Sequence, residues 1–122
     1  MYRIRRKVKI DGVIRNVKCM VIPERKQVIA KLSHCSFDAI NAFTRDTGYV
    51  PMIADHSLMN DTYSATATCH PEDTFDPEVG ADIATEKLIE NYIAARSNKT
   101  SRMLEYLENH ITKVHAKRVN KK

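Results

Sequence analysis

Apolar and basic side chains alternate along the start of the chain. From Tyr2 to Ile10 the apolar groups occupy even positions and the cations odd ones, with Arg6 as the exception. A two-residue period places neighbouring side chains on opposite faces of a strand. The pattern therefore predicts a β-strand with one buried face and one positively charged face.

The dipeptide Asp11-Gly12 predicts a two-residue hairpin turn after this strand, because such a turn needs a positive φ at both central positions. The turn fixes the register of the two strands that it joins. The expected partners are Ile10 and Val13, Val8 and Arg15, Arg6 and Val17, Ile4 and Cys19, and Tyr2 and Val21. In this register Arg6 and Arg15 fall on the apolar face of the hairpin.

Periodicity and turn residues predict the later elements. They are a turn at 23–26, a strand at 27–32, a short helix over 36–44 that Ser36 caps and Thr47-Gly48 follows, an edge strand at 49–53 and a strand at 62–69. A helical segment then begins at Pro77, with Asp76 placed to cap it. Apolar spacing continues beyond a weak break at 97–100, so one long helix or two helices would explain residues 77–118.

This order of elements predicts an α+β fold. A small antiparallel sheet of N-terminal hairpin strands is combined with one short helix and a C-terminal helical segment. We expect a single domain over residues 1–122, because this length is typical of one domain. Within it, residues 1–76 are expected to be mainly sheet with a short helix, and residues 77–118 to be helical.

Charge is distributed in three blocks, although the net charge is only +5. Residues 1–31 carry a balance of +8, residues 32–90 a balance of −9, and residues 91–122 a balance of +6. Such blocks can neutralise each other within one chain or between copies, and we therefore expect a homo-oligomer. A dedicated site for an anionic ligand is the other use of the basic segments.

Composition also bears on the compartment. No apolar run is long enough to span a membrane, and the N-terminus lacks the apolar core of a signal peptide. The three cysteines, Cys19, Cys35 and Cys69, are odd in number and widely spaced, which fits a reducing compartment better than secretion. We expect a cytoplasmic protein with no membrane partner.

Residue types that occur in catalytic and metal sites are present, but in unsuitable arrangements. Asp55-His56-Ser57 are contiguous, and three consecutive side chains cannot form the line of nucleophile, base and orienting carboxylate. His34-Cys35 and Cys69-His70 are adjacent pairs, whose members point to opposite faces of a strand. We therefore predict a protein that is not an enzyme and that holds no metal and no cofactor.

The basic residues of the hairpin leave several interpretations open. Arg6 and Arg15 on the apolar face either extend to water, or meet carboxylates of the segment 72–82, or hold a phosphate. The cations of the opposite face form a row that is solvated, fits an acidic protein surface or fits a nucleic-acid backbone. This row consists of Arg3, Arg5, Lys7, Lys9 and Lys18.

Phe75 stands directly before the predicted helix at Pro77. It either packs on the helix as a hydrophobic staple or offers an aromatic surface to a base. Asn91, Arg96 and Arg102 follow on the helical run. An aromatic ring, an amide and guanidinium groups are what a nucleotide ligand requires, so these residues are candidates for a nucleotide site.

The stretch 60–92 resembles a class of short bacteriophage proteins, the anti-Thoeris sponge family. The resemblance is carried by the strand 62–69, by the run His70-Pro71-Glu72-Asp73-Thr74-Phe75-Asp76, and by the helix entry Gly80-Ala81-Asp82-Ile83-Ala84. Proteins of that family are non-catalytic. They bind cyclic ADP-ribose-type signals made by bacterial TIR-domain defence enzymes and sequester them intact, as oligomers with pockets near the subunit contacts.

The resemblance implies a set of ligand-binding residues. Phe75 is similar to a family aromatic that stacks on the ligand, and Arg25 and Arg102 are similar to family arginines that reach its phosphates. Asn91 stands loosely where an amide contact is expected. With Arg6 and Arg15, these form the predicted site for a small anionic nucleotide.

The resulting prediction is a phage counter-defence protein of the host bacterial cytoplasm that sequesters a cyclic nucleotide signal as a homo-oligomer. The alternative is a basic phage module that binds nucleic acid or inhibits a protein.

Overall fold

The computed structural model describes residues 1–49 and 60–119, with side chains described up to residue 109. The strands are β1 (Tyr2–Ile10), β2 (Val13–Ile22), β3 (Gln27–Leu32) and β4 (Tyr63–Thr68), and the helices are α1 (Asp38–Thr47) and α2 (Pro77–Val119). A 3-10 helix, Pro23–Arg25, joins β2 to β3. This order confirms the predicted α+β fold. The expected edge strand at 49–53 falls almost entirely outside the described residues.

The four strands form one antiparallel sheet in the order β1-β2-β3-β4. The pairing of β1 with β2 has the predicted register, from Tyr2 opposite Val21 to Ile10 opposite Val13. Asp11 and Gly12 have φ values of 52° and 80°, as a two-residue turn between twisted strands requires. The apolar alternation and the turn residues were therefore sufficient to predict the register of this hairpin.

Helix α2 covers one face of the sheet, and the core lies between them. Residues 77–119 form one continuous helix of 43 residues, which settles the choice between one helix and two. No described helix is both long and apolar enough to cross a membrane. The buried side chains of this layer are Ile10, Val17, Cys19, Val21, Val28, Ala30, Leu32 and Ala67 from the sheet and Ala81, Ala84, Leu88 and Tyr92 from α2.

The first turn of α2 forms as the sequence predicts. The Asp76 carboxylate accepts a hydrogen bond from the Glu78 N–H at 3.0 Å, and the helix begins at Pro77. Gly80, in the next turn, lies directly against β3. A Cβ atom at Gly80 would stand 2.7 Å from Cγ2 of Val28, so the missing side chain permits the close approach of helix and sheet.

Helix α1 packs beside α2 and differs from its prediction at the start. Ser36 does not cap it: its hydroxyl donates to the Asp61 carboxylate at 2.9 Å, and the helix begins at Asp38. It continues to Thr47, beyond the predicted end at 44, and Gly48 terminates it as expected, with φ 77° and its N–H donated to the Thr44 carbonyl. The side chain of Phe43 is buried against Met103 of α2 in a second, smaller cluster.

Gly80→Ala tests the close approach of α2 to β3. Alanine favours the helix by about 1 kcal/mol, but overpacking against a buried, β-branched valine costs about 1–3 kcal/mol. We expect the free energy of unfolding, measured by urea denaturation, to fall by about 1 kcal/mol. In the double variant Gly80→Ala/Val28→Ala the loss should be smaller than the sum of the two single losses. A Gly80→Ala protein more stable than the parent would contradict this packing.

Candidate functional site

Two of the predicted ligand-binding residues, Phe75 and Arg25, lie at the same end of the sheet. Arg25 belongs to the 3-10 helix between β2 and β3, and Phe75 belongs to the bend that follows β4. Lys26 ties the two segments together. Its backbone carbonyl accepts from the Cys69 N–H at 2.8 Å, and its ammonium group donates to the carbonyls of Pro71 and Asp73 at 3.0 and 2.8 Å.

A cavity of about 410 Å³ opens beside Phe75, between the end of β4, the bend and the first turns of α2. Its apolar wall includes Phe75, Val79 and Ile83, and Cys69 and Lys87 also border it. The volume lies in the range of about 300–1,000 Å³ that small-molecule sites occupy.

Phe75 has contacts on two sides. Its half-buried ring packs against the core, with Cε1 3.7 Å from the position that a Cβ of Gly80 would occupy, and it also borders the cavity. The fourth helical residue, where a hydrophobic staple would have its apolar partner, is Gly80, so the ring is held by the core and not by a staple. A ring held in this way keeps its orientation, and this is a property that a stacking surface for a ligand needs.

The cavity is not a strong anion site within one chain. Asp73 and Asp76 border it together with His70 and Lys87, so a phosphate placed here meets carboxylates as well as cations. Like charges at close range disfavour binding. An anionic ligand therefore requires further cations at the cavity mouth.

Arg6 is neutralised by α2. Its guanidinium group forms ion pairs with Glu78 and with Asp82, the latter at 3.1 Å between Nε and Oδ1. The hydrogen bond with Glu78 is the main reason that the pKa of Arg6 is raised above its ordinary value. Of the interpretations open for Arg6, the meeting with carboxylates of the segment 72–82 is confirmed.

Arg15 is also neutralised, but by a residue that sequence reasoning missed. Its guanidinium group donates to the Asp38 carboxylate of α1 at 2.9 Å and to the Ser33 carbonyl at 3.2 Å. The buried Tyr92 hydroxyl donates to the same carboxylate oxygen at 2.6 Å. The network joins the sheet, α1 and α2, and it contains no acid from the segment 72–82.

Protonation states in this network follow from burial and from its hydrogen bonds. Burial opposes ionisation of Asp38, but the hydrogen bonds from Tyr92 and Arg15 outweigh it and lower the pKa of this carboxyl. Burial raises the pKa of Tyr92 to about 12, and the hydrogen bond to the Asp38 carboxylate adds to this effect. Burial and the nearby negative charge of Asp38 raise the pKa of the Cys35 thiol to about 11. At neutral pH Cys35 is therefore a protonated thiol and a poor nucleophile.

Asn91 and Arg102 lie far along α2 from Phe75. At about 1.5 Å of rise per residue, Asn91 is about 21 Å and Arg102 about 37 Å from Pro77 along the helix axis. One chain therefore places Phe75 and Arg25 at the same end of the sheet, although Arg25 does not line the cavity, and it cannot place Arg102 on the same small ligand. A site that uses both Phe75 and Arg102 needs two chains.

No protein-family model matches the chain, and no curated protein or solved structure matches it. Among the described residues, no group of three or more His, Cys, Asp and Glu side chains could hold a metal ion.

Sequence reasoning missed Cys69 and Lys87 as residues that border the cavity. It also missed Lys31 as a neighbour of Lys18 in the row of cations on the sheet. Lys31 carried a usable signal, since it lies in phase with the two-residue period of β3. Cys69 and Lys87 gave none, because their position at the cavity depends on how α2 crosses the sheet.

Asp38→Asn tests the network around Tyr92. We expect a loss of about 1–3 kcal/mol of unfolding free energy at pH 7, because Arg15 and Tyr92 lose a charged partner in a mostly buried site. Because the pKa of Asp38 is lower in the folded than in the unfolded protein, its ionisation stabilises the fold at pH values above its unfolded pKa of about 3.9. This contribution is lost as the pH falls through the pKa of Asp38 in the folded protein. Below about pH 4 the parent should therefore lose more stability than the variant.

Asp46→Asn on the exposed side of α1 is the matched control, and it should change stability by about 0.5 kcal/mol or less. An Asp38→Asn protein with the parent's acid sensitivity, measured by urea denaturation from pH 7 downwards, would refute this assignment.

Proposed function

We propose that this protein is a non-catalytic binding protein that sequesters a small cyclic nucleotide of the cyclic ADP-ribose type. The observation that carries the proposal is the ring of Phe75, packed against the core, in the wall of a cavity of about 410 Å³ at the end of the sheet where the turn that bears Arg25 also lies. The ring stacks on the base, and Arg25 contacts the phosphates. The resemblance to phage anti-Thoeris sponges supports the same ligand class and the same role in counter-defence.

A second copy of the chain completes the site. Because Asp73 and Asp76 border the cavity, an anionic ligand needs additional positive charge there. Arg102 is too far along α2 to supply this charge within its own chain. Arg102 of a second copy, placed over the cavity mouth, meets this need. The proposal therefore includes a homo-oligomer, and it assigns tight binding to the assembly rather than to one chain.

Sequestration needs slow release rather than chemistry, since most differences in affinity between related complexes reside in the dissociation rate. The alternative function, a basic module that binds nucleic acid or inhibits a protein, draws its support from a different surface, the uncovered face of the sheet.

Phe75→Leu tests the ligand site. We expect isothermal titration with cyclic ADP-ribose isomers to give saturable heat for the parent and at least about fivefold weaker binding for the variant, because loss of a stacked base costs about 1–3 kcal/mol. Phe37→Leu is the control, because Phe37 is 58% exposed and does not border the cavity. Absence of heat at tens of micromolar protein, or ligand recovered in altered form after denaturation, would reject the proposal.

Cys69 gives an independent readout of occupancy, because it borders the cavity and is the one cysteine of three that is not buried. Bound ligand should slow its alkylation by iodoacetamide, followed by mass spectrometry. Equal alkylation rates with and without saturating ligand would place the ligand elsewhere.

Mixing of two inactive variants tests the shared site. Phe75→Leu and Arg102→Gln should each bind poorly alone. Unfolded together and refolded, they should recover about a quarter of the parent's binding sites if the assembly is a two-fold dimer, because half of the dimers are mixed and each has one intact site. No recovery, or a monomer mass by light scattering, would refute the two-chain site.

A further inference from the structure

The face of the sheet that points away from α2 carries cations without any carboxylate. We call this surface the open face. Its cations are Arg3, Arg5, Lys7 and Lys9 of β1, Lys18 of β2 and Lys31 of β3, and all six are exposed. None of them forms an ion pair with a described residue, and the four strands contain no Asp or Glu. Nothing within the face therefore neutralises it.

Three of these cations lie side by side. The sheet register places Arg5 opposite Lys18, and Lys18 opposite Lys31, on three neighbouring strands. Adjacent strands are about 4.8 Å apart, and like charges directly opposite each other destabilise a sheet. The fold gains nothing from this row. An arrangement that costs stability and is exposed is typical of a binding surface.

The open face also has an apolar part beside the cations. Met20 and Ile29 are paired across β2 and β3, both half-buried, in the row next to Arg5 and Lys18. On β4 the face carries only hydroxyl side chains, from Ser64, Thr66 and Thr68. Cations, apolar groups and hydroxyls thus follow one another across the sheet.

The spacing of the cations matches an extended polyanion. Alternate residues of a strand are about 6.7 Å apart, so the four cations of β1 form a line of about 20 Å. This repeat is comparable to the distance between successive phosphates of an extended nucleic-acid strand. A duplex presents mainly phosphates to a flat surface, whereas an unpaired strand also exposes bases that can contact Met20 and Ile29.

A second copy docking by the same face is excluded by charge, because two carboxylate-free faces with six cations each would repel. We propose that the open face binds single-stranded nucleic acid, with the cations of β1 to β3 on the backbone and the apolar row against the bases. This binding goes beyond the proposed sequestration of a small nucleotide. It uses the opposite side of the sheet from α2.

Fluorescence anisotropy of a labelled oligothymidylate of a dozen nucleotides tests the proposal over a range of salt concentrations. For single strands the logarithm of affinity falls with slope of about −0.7 per neutralised phosphate, so four to six contacts give a slope of about −3 to −4. Lys18→Gln should reduce this slope by about 0.7. The control Arg45→Gln removes one positive charge from α1, which is not part of the open face, and should leave the salt slope unchanged.

Arg5→Gln/Lys18→Gln/Lys31→Gln separates binding from folding. We expect at least tenfold weaker binding together with a melting temperature at or above that of the parent, because repulsion in the row is removed. A structural role for these cations would lower the melting temperature instead, and that result would overturn the proposal.

Three further results would also overturn it: no anisotropy change at about 50 mM salt, tighter binding of a duplex of the same length, or equal competition by polyglutamate, which would indicate an acidic protein as partner. Phe75→Leu should bind the oligonucleotide as the parent does, so failure of this proposal is distinguishable from failure of the nucleotide site.

Discussion

The packing of α2 against one face of the sheet is the contact on which the rest of the structure depends. Small residues at Gly80, Ala81 and Ala84 let the helix approach the strands, and Leu88 and Tyr92 fill the space further along. Because one helix covers one face, the fold has two distinct sides. The cavity beside Phe75 forms where the helix begins, and the open face remains on the other side. Both candidate surfaces are consequences of the same packing.

The treatment of charge differs between these two sides. Arg6 and Arg15, which point towards the helices, each have a carboxylate partner, supplied by α2 and α1 respectively. Arg96 on α2 likewise pairs with Asp11 of the hairpin turn at 2.6 Å. The chain has 15 acidic residues, so supply does not limit pairing. The pairs of Arg15 and Arg96 lie in the partly buried layer, where desolvation makes an unpaired charge costly, whereas the carboxylate partners of Arg6 are exposed. The four strands themselves carry no carboxylate.

Sequence predicted the sheet well because its signals are local. The two-residue period and the turn at Asp11 and Gly12 fixed the hairpin register, and Asp76 fixed the start of α2. Ser36 was wrongly assigned as a cap because its hydroxyl has a competing partner, Asp61, 25 residues away in sequence. Such long-range hydrogen bonds leave no mark on local periodicity.

The weak break at 97–100 was ambiguous for a related reason. Polar residues interrupt the apolar spacing there, but the ammonium group of Lys99 donates to the Tyr63 hydroxyl and lies 4.9 Å from its ring centroid. Lys99 is thereby buried as part of the helix–sheet layer, and the helix continues through the segment. Lys99, which interrupts the apolar spacing in the sequence, is therefore a packing residue in the structure.

The candidate site was predictable only in part. Residue type singled out Phe75, the family resemblance named Arg25, and the fold places both at one end of the sheet. The distance of about 37 Å from the start of α2 to Arg102 follows from the helical rise only if residues 77–119 form one helix, and the sequence had left open whether they form one helix or two. Distance along a long helix is what makes a second chain necessary for a site that includes Arg102.

The two surfaces should differ in their response to salt. Exposed cations on the open face are screened within about 10 Å at 0.1 M salt, so any attraction that they exert weakens steeply as salt is added. The ring of Phe75 acts through contact and desolvation, which salt affects little. In the proposed functions, the field of the open face raises the rate at which anionic ligands arrive, and selection among them depends on the fit beside Phe75. The two proposed binding surfaces therefore depend on different properties, one on charge and the other on shape, and they lie on opposite sides of one sheet.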